Sequence, residues 1–236
     1  MSSRAASIAA RAAAVVLMGS SLAGCVTDKD VTGSIMPTAA SREVSTSPGL
    51  SPETREARWR ALAAKYGPAY EKNPSDPATA YAYGVTLRAL GQRAQALAVL
   101  ETASLKNPGQ KQILAAYGRA LADAGRYDDA LGVLGKAHTP EEPDWRILNA
   151  QGAILDQLGR TAEARGYYES ALKIAPGEPS ILSNLGLSYA LSKDLSKAEA
   201  TLAQAAASPR ADEQVRANLA MVRSLKAGAG SGRKSG

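Results

Sequence analysis

One thiol and one imidazole are present in 236 residues. Cys25 ends the stretch Leu22-Ala23-Gly24-Cys25, and His138 lies in Ala137-His138-Thr139-Pro140-Glu141-Glu142. A single cysteine closes no internal disulfide, and one cysteine with one histidine cannot complete a four-ligand zinc site. The carboxylate pairs Asp128-Asp129 and Glu141-Glu142 are adjacent in the chain. Adjacency does not set two carboxyl groups on opposite sides of a substrate, so these read as solvated helix starts. His138 falls at an expected helix end, where an imidazole caps carbonyls. The sequence holds no glycine-rich phosphate loop and no HExxH. These residues predict no catalytic site, no metal site and no bound cofactor. The chemistry left to Cys25 is covalent modification.

The surroundings of Cys25 say which modification. Arg4 and Arg11 make the start of the chain positive, residues 12–22 form a short apolar run, and the first acidic residue is Asp28. That is the charge order of a secretory signal, and the run is too short to span a bilayer comfortably. Leu22-Ala23-Gly24-Cys25 resembles the lipobox of bacterial lipoproteins. The resemblance implies a signal peptide over 1–24 and a Cys25 sulfur alkylated by diacylglycerol; the alternative is an ordinary cleaved signal with an incidental cysteine. Each buried methylene contributes about 0.8 kcal/mol, so one acyl chain holds marginally and two hold stably. Val26, where an inner-membrane lipoprotein would carry Asp, resembles the outer-membrane sorting pattern and implies a lipid anchor facing the periplasm. Residues 26–51 are rich in Ser, Thr, Pro and Gly and have no helical apolar period. They read as a flexible tether of about 30 Å. Loss of Arg4 and Arg11 lowers the formal charge from +6 to +4, without a basic block, which argues against nucleic acid.

The rest of the chain must supply whatever is anchored. Aromatic residues are 5% of the sequence, Phe is absent, and alanine dominates the apolar set, which favours closely packed helices over a sheet. Gly84, Gly118, Gly152 and Gly186 recur every 34 residues. Ala96, Ala130, Ala164 and Ala198 follow in the same register, as do Ala103, Ala137, Ala171 and Ala205. Large residues keep step: Leu87, Leu121, Leu155 and Tyr189, then Leu100, Leu134, Tyr168 and Leu202. Coincident columns at a fixed period are the signature of a repeat array.

These columns resemble those of the tetratricopeptide repeat family, whose unit is a pair of antiparallel helices. The resemblance implies an all-α solenoid with units over 77–110, 111–144, 145–178 and 179–211. Flanking segments would cap it: an N-terminal helical region over 52–76, split or kinked at Gly67-Pro68, and a lone helix over 212–227. The glycine-rich stretch 228–236 reads as an unstructured tail. Gly91, Gly125 and Gly159 suit left-handed turns between helices, whereas Lys193-Asp194 stands at the fourth such turn. Pro108 and Pro176 mark where second helices stop. Trp59, Trp145 and most of the nine tyrosines fall at packing positions.

In the family, the first helix of each unit lines the inner wall of a curved stack. Transferred by register, that wall holds Tyr81, Val85 and Arg88, then Gln112, Ala115, Arg119 and Asp123. Arg146, Asn149, Ala153 and Asp156 follow, and Ser183, Leu187 and Leu191 complete it. The mixture suits an extended peptide or a partner helix; the alternative is a merely solvated face. It does not reproduce the asparagine and lysine set with which some members clamp a C-terminal carboxylate. Anchor, tether and repeats in this order resemble the repeat lipoproteins of tight-adherence (Flp) pilus assembly, which implies an outer-membrane secretin or another assembly component as protein partner. A pilotin of type IV pili, a lipoprotein of β-barrel assembly and a general periplasmic peptide-binding lipoprotein are the alternatives.

Overall fold

A computed structural model describes residues 52–232; Cys25 and the segments expected to be signal peptide and tether lie outside the described residues. Within them, regular structure is entirely helical. α1 spans Pro52–Lys72, followed by α2 (Pro77–Ala89), α3 (Arg93–Lys106), α4 (Lys111–Asp123) and α5 (Tyr127–Leu134). Then come α6 (Trp145–Gln157), α7 (Thr161–Ile174), α8 (Pro179–Leu191), α9 (Leu195–Ala206) and α10 (Glu213–Gly232). First helices begin at Pro77, Lys111, Trp145, Pro179 and Glu213, each 34 residues after the last.

The repeating columns face one another across each helix pair. A Cβ placed on Gly84 would lie 2.5 Å from Leu100, and on Gly118, 2.6 Å from Leu134. On Gly152 it would meet the Tyr168 ring at 2.6 Å, and on Gly186, Leu202 at 2.6 Å. Each glycine therefore makes room for a fully buried large side chain sixteen residues on. Ala96, Ala130, Ala164 and Ala198 are completely buried beside them. Small against large is how two helices come close without voids.

The turns within units are alike. In the first, Gly91 N–H donates to Arg88 and Gln92 N–H to Leu87, the paired bonds of a Schellman cap. The pattern recurs at Gly125, Gly159 and Lys193, with φ of 76°, 74° and 63°. Lys193 thus adopts the left-handed conformation that glycine takes elsewhere. Asp76, Asp144 and Asp194 cap α2, α6 and α9 by accepting the N–H groups of Thr79, Arg146 and Lys197. Asn107 and Ala175, which precede the two prolines, leave helical geometry, and α3 and α7 end there.

Two expectations need correction, and one second helix is shorter than its counterparts. α1 is one continuous helix through Pro68, so it is not split there. Its Trp59, Leu62 and Tyr66 are buried with Tyr81 and Val85 of α2, and Gly67 sits against the Tyr83 ring, so tertiary packing offsets the lost backbone bond. α5 has 8 residues, whereas α3 and α7 have 14. Gly132 and Gly135 weaken it, and Pro140 and Pro143 keep the following segment irregular, although Ala137 stays buried in its column. Finally, α10 continues to Gly232, so residues 228–232 are helical where composition predicted an unstructured tail. They extend a helix already nucleated by packing of Val215, Leu219 and Val222 on the last unit.

Candidate functional site

Each second helix packs on the first helix of its own unit and on that of the next, while the first helices also touch one another in sequence from α2 to α10. The row of first helices is therefore the tighter layer, and its side chains form the inner wall. Of the residues assigned there by register, Tyr81, Val85, Arg88, Arg119, Asn149, Ser183 and Leu187 are each at most 9% exposed. Ala115 and Ala153 are buried too; Gln112, Asp123, Arg146 and Asp156 are half-buried, and Leu191 is exposed. The wall is largely a set of closed seams between adjacent first helices, and Gln112, Asp123, Arg146 and Asp156 keep part of their surface in contact with solvent.

The seams are held by pairs that sequence reasoning missed in part. Arg88 on α2 forms an ion pair with Asp123 on α4. Asn184 Nδ2 on α8 donates to Asn149 Oδ1 on α6 at 3.0 Å, and Asn218 Nδ2 on α10 donates to Ser183 Oγ on α8 at 3.0 Å. All three pairs lie 35 residues apart, the repeat period plus one. That spacing was available in the sequence and would have pointed to Asn184 and Asn218. Asp156 accepts from Tyr168 OH at 2.9 Å and from Ser188 Oγ at 2.8 Å, joining α6, α7 and α8. Burial raises its pKa above the ordinary value, while those two hydrogen bonds pull the other way.

The N-terminal part of the wall is chemically different. Burial pushes the Tyr81 hydroxyl above its usual pKa, opposed by Arg119, Arg88 and Arg146, while Asp144 adds to the rise. Three guanidinium groups, from α2, α4 and α6, thus act electrostatically on one phenol. The Arg146 guanidinium lies over the Trp145 ring at 4.3 Å from its centroid, and its Nε is buried without a hydrogen-bond partner among the described residues. His138 does not cap through Nδ1, which is buried without a partner among the described residues, four residues beyond the end of α5. Asp128 and Asp129 do occupy the first turn of α5, and Glu142 pairs with Lys111 at 2.7 Å.

Two family models described as tetratricopeptide repeat match this sequence, one over 87–152 and 157–222, the other over 134–179. The matched stretches exceed half the chain, and the protein belongs to the tetratricopeptide repeat family. Among solved structures, a thermophilic TPR protein of Thermus thermophilus is similar at 23% identity and a TM-score of 0.63, covering 70% of this chain and 91% of that one. PilW, described as a widely conserved type IV pilus biogenesis factor, is similar at 19% identity and a TM-score of 0.59, covering 64% and 70%. MamA is similar at 18% identity and a TM-score of 0.53, covering 64% and 88%. At these identities the likeness is one of fold. No curated protein matches the sequence. Proteins of this fold bind protein partners and are typically scaffolds, not enzymes.

Proposed function

We infer that this chain is a lipid-anchored adaptor that supports assembly of an outer-membrane pilus apparatus, in the manner of TadD of the tight-adherence (Flp) system, with a secretin as its protein partner. The observation that carries the reading is the order along the chain: a lipobox-like Leu22-Ala23-Gly24-Cys25, a tether, then a repeat solenoid. Lipid on Cys25 anchors the protein to the outer membrane, the tether gives it reach, and the solenoid holds a partner in the periplasm. The fold likeness to PilW supports a pilus role and also keeps a type IV pilus pilotin in view. The buried Arg146 Nε, which has no acceptor among the described residues, favours a general peptide-binding lipoprotein as the second reading.

The test is chemical cross-linking in native membranes, followed by identification of the captured protein. The adaptor reading expects a secretin subunit. Capture of a β-barrel assembly component sinks the pilus assignment. The intact mass of the mature N-terminus reports on the anchor: diacylglyceryl-Cys25 supports it, and an unmodified thiol makes the protein a free periplasmic adaptor.

A further inference from the structure

The last of the described first helices is finished differently from the rest. In α2, α4, α6 and α8 two columns face the next first helix, running from Tyr81 to Ser183 and from Val85 to Leu187, and every member of both is at most 8% exposed. α10 continues these columns with Ala217 and Met221, and both are exposed, Met221 at 36%. Ser224 and Leu225 follow on the same face of the helix and are exposed too, Leu225 at 53%. The side of α10 that a second helix would cover has another character. There the column of Ala80 and Leu182 ends in Arg216, and the column of Leu87 and Tyr189 ends in Arg223, which pairs with Glu199 at 3.1 Å. α10 is thus dressed for water where a second helix is missing and left apolar where a further first helix is missing. A repeat that ends a solenoid in solvent needs a polar outer face, so the uncharged stripe Ala217-Met221-Ser224-Leu225 calls for a cover. Among the described residues nothing provides one.

What belongs on the stripe is a single helix with an uncharged face, because first helices meet one another along this side throughout the molecule. α10 of a second copy is such a helix. Set antiparallel about a two-fold axis at Met221, two copies place Ala217 of one opposite Leu225 of the other, since each lies four residues from the centre. Small then meets large at both ends, as Gly84 meets Leu100 within a unit, and the stripe itself brings no like charges together. We propose that the chain forms an antiparallel homodimer through α10, which continues the seam between first helices across the two-fold axis. The same patch serves both copies, so the pairing closes on itself and makes dimers, not filaments. A seam of one helix against one is at the small end of specific interfaces, and the dimer is therefore concentration-dependent. The pairing goes beyond the adaptor reading and does not depend on which protein that adaptor holds.

Sedimentation equilibrium of the full chain over a dilution series tests the dimer, and disulfide trapping tests its geometry. The protein passes from monomer to dimer as concentration rises. Met221→Arg, which sets two like charges at the axis, raises the dissociation constant by at least about tenfold, whereas Leu105→Arg, exposed on α3, leaves it unchanged. Thermal melting followed by circular dichroism checks that the fold is kept; if Met221→Arg melts early, Leu225→Arg takes its place. On a Cys25→Ser background Met221→Cys puts the only thiol of each copy at the axis, and mild oxidation traps a covalent dimer, whereas Arg216→Cys, off the stripe, gives none. A monomer at every concentration overturns the proposal, as does a dimer that ignores both arginine variants. Assemblies that keep growing with concentration mark a head-to-tail contact and overturn the two-fold pairing. Failure of Met221→Cys to trap a dimer overturns the antiparallel register. Capture of a secretin, or its absence, in the cross-linking experiment bears on the adaptor reading alone.

Discussion

Between α2 and α6 two seam positions are apolar, with Tyr81 sharing a buried cluster with Ala116 and Ala115 with Ala150, while the Arg88–Asp123 ion pair crosses the α2–α4 seam further along. Between α6 and α10 the same positions carry Asn149 with Asn184 and Ser183 with Asn218, hydrogen-bonded across the seam. The packing inside each unit shows no such divide, since a glycine meets a large buried side chain in all four. Helix pairing is thus fixed by a repeated steric fit, while the seams between units are free to differ. In the polar half Asn149 and Ser183 are satisfied across the seam, whereas Arg146 Nε is buried with no acceptor among the described residues. Binding chemistry has room where seam chemistry does not use up the polar groups.

The steric fit should dominate stability in both halves. Leu134→Ala is expected to cost about 2–5 kcal/mol in urea unfolding, because it empties the space against Gly118. Gly118→Ala should cost about 1–3 kcal/mol net, as the inserted methyl meets Leu134 despite the gain in helix propensity. The double variant should lose less than the sum, since the methyl fills part of the void. Strict additivity would mean that the two columns do not meet.

The seams are expected to separate at the next level. Asn149→Ala leaves a buried Asn184 amide without its acceptor and should cost about 1–3 kcal/mol, with much of the loss recovered in Asn149→Ala/Asn184→Ala. Ala115→Asn, the reverse change in the apolar half, should cost a similar amount by burying an amide with no matching partner. A neutral Asn149→Ala would remove the energetic content of the contrast. Lys193→Gly should raise stability by about 1 kcal/mol, because the fourth turn holds a side chain at a φ of 63°.

The smallest effect is a pH dependence. Burial holds the Asp156 pKa above 3.8, so the folded chain keeps that proton to higher pH than the unfolded chain does. Its contribution to stability is present below the unfolded-state value and is lost as pH rises through the folded-state value. The stability difference between the protein and Asp156→Asn should move in favour of the variant between about pH 3 and neutrality, where Asp and Asn differ in charge. A difference that stays flat would place Asp156 in a more solvated setting.

Much of this was legible from period alone. Columns of Gly84, Ala96 and Leu100 and their successors imply facing small and large surfaces, and Gly91 with its successors marks the turns, because both depend on residue size or backbone freedom at fixed positions. The wall was legible as a set of positions but not as an environment. Register places Asn149 and Ser183 on the inner row, yet only the one-residue offset between neighbouring helices brings them to Asn184 and Asn218. Pro68 misled for a related reason: a proline argues locally against a continuous helix, and the packing of Trp59, Leu62 and Tyr66 on α2 is not local.

A photo-cross-linking side chain placed at Gln112 or at Leu105, in the intact protein in native membranes, tests most directly which face holds the partner. Gln112 is half-buried on the inner row, whereas Leu105, on the second helix α3, is 78% exposed. Capture of a secretin subunit from position 112, with none from position 105, is the result this account predicts. Capture from 105 alone would contradict it and move the partner to the second-helix face.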